Sequence, residues 1–524
     1  MKIGENIINS ERKSKLIRLS LLLFACFIIL TFLNLANIYS LAAILIIALG
    51  YLFLRKHLEL VLCLVIPALA FGQVLKFPIG WQWEYEASIA EILLIFIFII
   101  FFLDKFINKK IGEIKVDLIM ILLSAYLLAS LFSFWQAIDL RLFIFGLKVL
   151  VFSFLAYFLF YNLTPLDPPY QGGTNPPNPP YQGGTNPPNP PYQGGDNPPS
   201  PPYQGGDNPL NPVRLNSQQS TLYQGRGKRK ANLFLSSLLI IVLILSAEIF
   251  IKFYEMGWST KILFDRSNII INFGPLATAS AALAFLLPII LAHYFSTPSA
   301  SKAKPFIFIT FVLGSLAVFL TLGKAAILSF VVGLFYFFMK FKSKRKIFII
   351  SLIIFTVLSA IIFSSFASGL IKRTSTTFID INSKFRVLEY KVGWELIKDN
   401  FLFGVGAGQQ LLYFKKILDY ETANLVNNFF LQALIDYGLI GFSLVVLIII
   451  SLFKKIFNLA RRIAADRSDK ILFYGFTAAL IVSFISGLLE VTFFTLSYAI
   501  IFWSVLGIFG NLENYKSDNL INLS

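Results

Sequence analysis

Long apolar runs separated by short polar ones set the pattern of this chain. Fourteen runs stand out, at roughly 16–33, 38–54, 58–75, 88–103, 116–134, 142–162, 231–251, 269–292, 305–322, 325–339, 347–366, 428–452, 471–489 and 491–509. Most approach the roughly 17–25 residues that a helix needs to cross the hydrocarbon of a bilayer. Two-residue alternation is absent, and backbone groups in lipid need partners within their own segment, so the runs predict helices. The fold class expected is all-α: a polytopic membrane protein with about 14 transmembrane helices and one helical periplasmic loop.

The polar positions orient these spans. With the amino terminus inside, the short basic loops fall on one side: Arg55–Lys56, Lys105 to Lys115, Arg226 to Lys230, Lys302 to Lys304, Lys340 to Lys346 and Lys454 to Lys470. That bias marks the cytoplasmic face. The opposite loops are poor in Lys and Arg, and one of them, Trp81 to Glu86, has the aromatic and acidic look of an outer interface. The expected location is the inner (plasma) membrane, multi-pass, with both termini cytoplasmic. The amino-terminal apolar run lacks a small-residue cleavage site and reads as a first span, not a removed signal peptide.

Five regions follow: amino-terminal spans (1–162), a cytoplasmic insert (163–230), further spans (231–366), a periplasmic loop (367–427) and carboxy-terminal spans (428–524). In the insert, Tyr170, Tyr181, Tyr192 and Tyr203 recur at an eleven-residue period within PPYQGG(T/D)NPPN units. The unit has almost nothing aliphatic to bury, and Pro and Gly at this density favour extended, solvated chain. The insert is read as a disordered loop enlarged by repeat expansion, with a proline-rich docking site as the alternative.

Composition agrees with the pattern. The chain has 524 residues, of which 56% are hydrophobic and 14% charged, with mean hydropathy +0.73. Soluble domains carry about 25% charged residues. A net charge of +17 would suit nucleic acid, but the positive residues sit in loops between spans, so no nucleic-acid partner is expected. Cys26 and Cys63 lie within apolar runs and imply no disulfide framework. His57 and His293, the two histidines, have no metal-ligand neighbours at usable spacing, so neither a metal nor a cofactor is expected.

Four charged residues lie at or near membrane depth: Lys148, Glu248, Lys324 and Glu490. A charge at the bilayer centre costs about 2.5–3.5 kcal/mol, and less near an interface. Lys148 and Glu248 suit a structural ion pair or snorkelling as well as a functional role. Lys324 is different, because TLGKAA leaves almost no loop to carry it into water, which favours function.

Candidate chemistry concentrates between Gly369 and Gly441. SKFRVLEYKVGWELIKDN predicts a helix begun by Asn382 or Ser383, with Phe385, Leu388, Val392 and Leu396 as its apolar stripe. Arg386, Tyr390 and Trp394, each four apart, share another face. Arginine clamps phosphate oxygens in bidentate fashion, and aromatic faces suit sugar rings. The competing reading is an interfacial helix with Arg386 among lipid headgroups. Gly404, Gly406 and Gly408 form a GVGAG turn that lacks the spacing and preceding strand of a dinucleotide loop. It reads as a tight turn whose N–H groups are free to meet an anion.

These residues resemble the O-antigen ligase and O-antigen polymerase-like membrane proteins. That family has an Arg-bearing periplasmic helix, here Arg386 with Trp394 following, then a glycine turn, here Gly404 to Gly408. A helix of the form HNxxLQxLxExGxxG comes next. This chain reads NNFFLQALIDYGLIG, matching at Asn428, Leu431, Gln432, Leu434, Gly438 and Gly441, with Asp436 for Glu. Upstream, NFGPLATASAALAFLLP from Asn272 looks like the family's NPNxxA helix start, and TLGKAA like its TxSRG hairpin, with Lys324 for arginine. The similarity covers about residues 265–445.

The resemblance implies metal-independent glycosyl transfer at the periplasmic face. The donor would be a saccharide on undecaprenyl pyrophosphate. The acceptor would be another lipid-linked glycan, lipid A core or a protein hydroxyl; membrane lipids and a chain-length regulator are further partners. Arg386, Lys324 and Arg266 would neutralise the departing pyrophosphate. Tyr390, Trp394, the three glycines and Asn428 would line the substrate. The ligases place a histidine where this chain has Asn427, and asparagine cannot take a hydroxyl proton at neutral pH. Glu421, Asp419 or Asp436 would have to substitute, or catalysis rests on the leaving group. That departure favours an O-antigen or exopolysaccharide polymerase over a ligase. A non-enzymatic transporter of lipid-linked glycan would need repeated halves with interrupted helices, which the sequence does not show. Deleting residues 169–209 is expected to leave glycan length on gels unchanged.

Overall fold

In the computed structural model, the residues described are 38–72, 76–78, 86–163, 212–257, 269–341, 376–413, 425–462 and 467–521. They form a helical bundle: α1 (Ile38–Leu54), α2 (Leu58–Ala68), α3 (Ile89–Ile107), α4 (Leu118–Phe132), α5 (Leu140–Leu163), α6 (Pro212–Glu255), α7 (Leu276–Ser296), α8 (Lys304–Leu320), α9 (Lys324–Lys340), α10 (Thr376–Asp399), α11 (Phe429–Arg462), α12 (Arg467–Leu489) and α13 (Leu496–Ile521). Two small antiparallel ladders accompany them, Lys76–Pro78 with Glu86–Ser88 and Ile270–Ile271 with Gly274–Pro275.

Six of these helices are long and apolar enough to cross a membrane: Leu118–Gln136, Leu140–Leu163, Asn232–Glu255, Leu276–Ser296, Phe429–Arg461 and Lys470–Leu489. Shorter apolar helices span Leu58–Phe71, Lys304–Leu320 and Leu496–Gly510. A helical membrane protein is thus supported, whereas about fourteen crossings are not reached among the described residues. The expected spans at 16–33 and 347–366 lie outside them, as does the Pro/Gly repeat. The expected seventh span at 231–251 corresponds to Asn232–Glu255, the apolar part of α6, whose helix begins earlier at Pro212.

Successive helices alternate in direction, which gives the bundle two chemically distinct ends. Thr321 Oγ1 lies 2.8 Å from Ser280 Oγ, and Thr278 Oγ1 lies 3.4 Å from Thr495 Oγ1. The end of α8, the starts of α7 and α9, and the α12–α13 junction therefore share one end, called upper here. α10 belongs to it, since Asn427, at the foot of α11, contacts α10, and Asn428 Nδ2 donates to Leu488 O at 3.1 Å. The opposite end is fastened by Asp117, which accepts from Tyr157 Oη at 2.6 Å and pairs with Lys455.

At the centre runs α7, rich in alanine and buried from Thr278 to Ala292. It packs against α6, α8, α9 and α12. Small side chains allow this closeness; a Cβ on Gly475 of α12 would meet Ala292 Cβ at 2.3 Å. In the amino-terminal half, Ser88 and Glu91 form a capping box that starts α3. The other Glu91 oxygen pairs with Lys148 of α5 at 2.6 Å, both side chains being buried. Lys148 is therefore a structural ion-pair partner. Glu248 also acts locally, accepting from the Asn272 backbone N–H and so tying α6 to the segment that starts α7.

Removing one partner of a buried pair costs about 3–5 kcal/mol, because the other charge is left unpaired, whereas replacing both with apolar groups is close to neutral. Lys148→Met is therefore expected to lower the thermal unfolding temperature in detergent, and Glu91→Leu/Lys148→Met to recover most of the loss.

Candidate active site

α10 begins at Thr376, earlier than Asn382 or Ser383, and lies against the upper end of α11. Its buried side chains are Glu389, Val392, Leu396 and Ile397, joined by Val405, Val426 and Ile435 in a small core of their own. The stripe is rotated from the one expected: Leu388 faces out, and a carboxylate takes the inward place. A Cβ on Gly393 would meet Ile435 Cδ1 at 2.8 Å, so the two helices sit close. Tyr390 and Trp394 are exposed on the other face, with Arg386 half-buried at its margin.

Beyond α10 the chain makes the glycine turn, and this turn repairs a break in α11. Gly438 has φ 62° and ψ −165°, which no helix accommodates. An intact helix would bond Leu439 N–H to Ile435 O and Ile440 N–H to Asp436 O. Instead Leu439 donates to Phe401 O (2.8 Å) and Ile440 to Leu402 O (3.3 Å), while Val405 donates to Ile435 O (2.9 Å) and Gly406 to Asp436 O (3.0 Å). Both halves of each lost bond find a partner in the turn. A side chain is excluded on either strand: a Cβ on Gly438 would lie 2.4 Å from Leu402 O, and one on Gly404 would lie 2.5 Å from Asp436 O. Gly404, Gly406 and Gly408 all have positive φ.

This corrects the anion-loop expectation. The Val405 and Gly406 N–H groups are taken up by α11 carbonyls, and Gly404 N–H by Asn400 O. The turn is a bracket, and Gln409 extends it. Its Oε1 accepts from Ile138 and Asp139 N–H at 2.9 and 2.8 Å, and its Nε2 donates to Asp139 O at 2.6 Å. The loop between α4 and α5 is thereby locked to the site from more than two hundred residues away in sequence.

On this frame the polar side chains meet. Asn428 caps α11, its Oδ1 accepting from Phe430 and Leu431 N–H at 3.0 Å each. Asn427 turns the other way, and its Nδ2 donates to Glu389 Oε2 at 3.0 Å. Tyr390 Oη donates to Asn427 O at 3.4 Å. Arg386 Nη2 stands 3.9 Å from Glu490 Oε1, a loose pair at the end of α12. Glu389 is 8% exposed, and burial pushes its carboxyl above the ordinary carboxylate range, against the opposing hydrogen bonds of Asn427 and the charge of Arg386. Lys324 is the exposed first residue of α9 at this same end, following Leu322 in a left-handed conformation (φ 51°). Arg266, Asp419 and Glu421 lie outside the described residues.

Below the cap opens an apolar cleft lined by Tyr126, Val149, Phe429, Phe430, Phe484 and Trp503 among others. It runs from the foot of the polar cluster into the bundle between α4, α5, α11, α12 and α13.

Residues 309–446 match the family model described as O-antigen ligase. The chain carries an O-antigen ligase-family segment. No curated protein matches the chain. The matched segment takes in Lys324, α10, the glycine turn and the broken part of α11. It stops short of Glu490 and excludes the α4–α5 loop that Gln409 grips.

Three features of this O-antigen ligase-family segment and its surroundings escaped the sequence. Glu389 carries no signal of its own in the sequence, because an apolar stripe can be drawn through Leu388, one position away. The Gly438 break carries no signal inside a continuous apolar run. Glu490 stood out only for its depth, since nothing local ties it to Arg386. Gly438→Ala is expected to be more damaging than a helix-interior alanine: it forces Cβ against Leu402 in a left-handed conformation. The expected outcome is loss of monodisperse protein on size-exclusion chromatography in detergent, whereas Gly112→Ala, which meets nothing within 4 Å, leaves it intact.

Proposed function

We propose that the chain is a glycan polymerase of the inner membrane. It transfers a saccharide from undecaprenyl pyrophosphate to the sugar hydroxyl of another lipid-linked glycan, at the extracytoplasmic face. The observation that carries this reading is the meeting of Arg386, Asn427 and Glu389 at the bundle end that also bears Lys324. An O-antigen ligase-family segment spanning those residues supports glycan chemistry in a membrane.

Orientation follows from charge. Arg55, Lys56, Lys105, Lys109, Lys110, Lys302, Lys304, Lys340 and Lys454 gather at the lower end, as expected of a cytoplasmic face. The upper end then meets donors displayed outside the cytoplasm. The departing pyrophosphate carries the charge that grows in the transition state, so fixed cations there supply most of the stabilisation. Arg386 and Lys324 take that role, with Arg266 as a third cation on the segment preceding α7. The exposed Tyr390 and Trp394 rings offer flat surfaces for sugars. The apolar cleft beneath Phe429 and Phe430 suits the hydrocarbon of a lipid-linked substrate.

Asparagine at 427, where the resembling ligases carry histidine, favours polymerase over ligase. Gene deletion separates them. A polymerase mutant accumulates single-unit glycans, a ligase mutant free polymer on the carrier lipid, and a transporter mutant donor on the cytoplasmic leaflet.

Losing one charge-stabilising donor costs about 10²–10³-fold in rate. Arg386→Ala and Lys324→Ala are each expected to abolish long glycan on gels while leaving protein in the membrane. Normal elongation by both variants would overturn the assignment.

A further inference from the structure

Among the described side chains of α10, Glu395 and Asp399 are exposed and Glu389 alone of the acids points inward. Burying a carboxylate is costly unless it is hydrogen-bonded, and an apolar residue would fill the same place in this small core. Its bonds come from one residue. Asn427 Nδ2 donates to Oε2 at 3.0 Å, and the Asn427 backbone N–H also serves the carboxylate. Among the described residues, the charged groups that face it are Arg386, one turn earlier on α10, and Glu490 at the end of α12; from the segment leading into α11 comes the neutral Asn427.

This arrangement sets what Asn427 can do. An amide has two donor hydrogens on nitrogen and acceptor capacity on oxygen. With one Nδ2 hydrogen directed at Glu389, the second remains to donate to the oxygen of an incoming hydroxyl, which leaves that hydroxyl's own proton free for the carboxylate. Asn427 is half-buried, so it is reachable where Glu389 is nearly covered. A hydroxyl held there stands beside a carboxylate that can receive its proton, with a guanidinium one helical turn away.

We propose that Glu389 is the proton acceptor of this site, taking the proton of the acceptor-sugar hydroxyl that Asn427 orients. The proposal rests on the glycosyl-transfer reading above. In the step, the hydroxyl oxygen bonds to the anomeric carbon of the donor. The bond from that carbon to the pyrophosphate oxygen breaks, and its electron pair leaves with the pyrophosphate toward Arg386. The hydroxyl proton passes to the Glu389 carboxylate. The pair thus does with two residues what one imidazole would do at position 427. A carboxyl held above its ordinary range by burial, with Glu490 adding to that and Asn427 and Arg386 opposing, is a stronger proton acceptor than a solvated one.

The test uses the full chain in native membranes, with elongation of the endogenous lipid-linked glycan followed on gels between about pH 5 and 9. Elongation by the wild type should fall on the acid side, where Glu389 is protonated, with the midpoint above the ~4.3 of a free glutamate. Glu389→Gln keeps an oxygen for the Asn427 amide but cannot take a proton. It is expected to slow elongation about 10²–10⁴-fold and to erase the acid limb. Glu389→Asp should retain the limb at a reduced rate, which separates chemistry from misfolding. Asn427→His in the Glu389→Gln background should recover part of the rate, with a limb moved toward the imidazole range near ~6.5. A Glu389→Gln enzyme that keeps the acid limb, at any rate, would make Glu389 a positioning residue only and overturn the proposal. Arg386→Ala serves as the control: if it too elongates normally, the glycosyl-transfer reading has failed, not the proton acceptor alone.

Discussion

Two backbone hydrogen bonds missing from one helix organise the upper end of this protein. Gly438 leaves the helical region and would strand the Ile435 and Asp436 carbonyls and the Leu439 and Ile440 N–H groups. In a bundle with little water such groups cost several kcal/mol each unless paired. The segment Phe401 to Gly406 pairs all four. Because that segment follows directly on α10, repair of the break also fixes where α10 ends, and so where Glu389 and Arg386 sit. Gln409 carries the constraint on to the α4–α5 loop. The site is thereby held by backbone geometry on one side and a single buried amide on the other, with no disulfide or metal needed to explain its shape.

Buried charge is handled differently at each level of the bundle. Lys148 and Glu91 neutralise each other in the amino-terminal half, Asp117 and Lys455 at the lower end, and Glu248 is engaged by a backbone amide. Each arrangement engages the group locally. Glu389 is also hydrogen-bonded, yet its partner is a neutral amide and its neighbouring cation, Arg386, is turned partly to solvent. Among the described residues, Glu389 combines a neutral hydrogen-bond partner with a guanidinium one helical turn away that faces solvent in part.

The sequence made the helical, membrane-spanning class legible because burial in lipid demands long apolar runs, and those runs are visible without partners. It also singled out 369–441, the longest polar, charge-bearing stretch apart from the Pro/Gly insert. What it left hidden is long-range. Lys148 reads as a buried charge of either kind until Glu91, on another helix, is beside it. The GVGAG turn reads as an anion loop until the carbonyls of α11 are seen to occupy its N–H groups. The rotation of α10 by one position, from Leu388 to Glu389, is decided by Ile435 and Val426 across the contact. Periodicity alone tolerates either face, because valine, leucine and isoleucine recur on both.

On the proposed reading Arg386 binds an anion, and such a cation should be poorly paired at rest. At 3.9 Å and partly exposed, its contact with Glu490 falls among surface ion pairs worth about 0–1 kcal/mol. A closer, buried pair would have to be broken before an anion could enter, and the stabilisation it supplied would be lost. A loose pair costs little to exchange. On that reading, a diphosphate would offer two bidentate faces and more charge than one carboxylate, which would favour exchange toward the ligand. Glu490 lies beyond the family-matched segment, on the far side of two long helices from α10 in the sequence. The resting tether is therefore a contribution of the carboxy-terminal helices, and the O-antigen ligase-family segment alone would present its arginine without it.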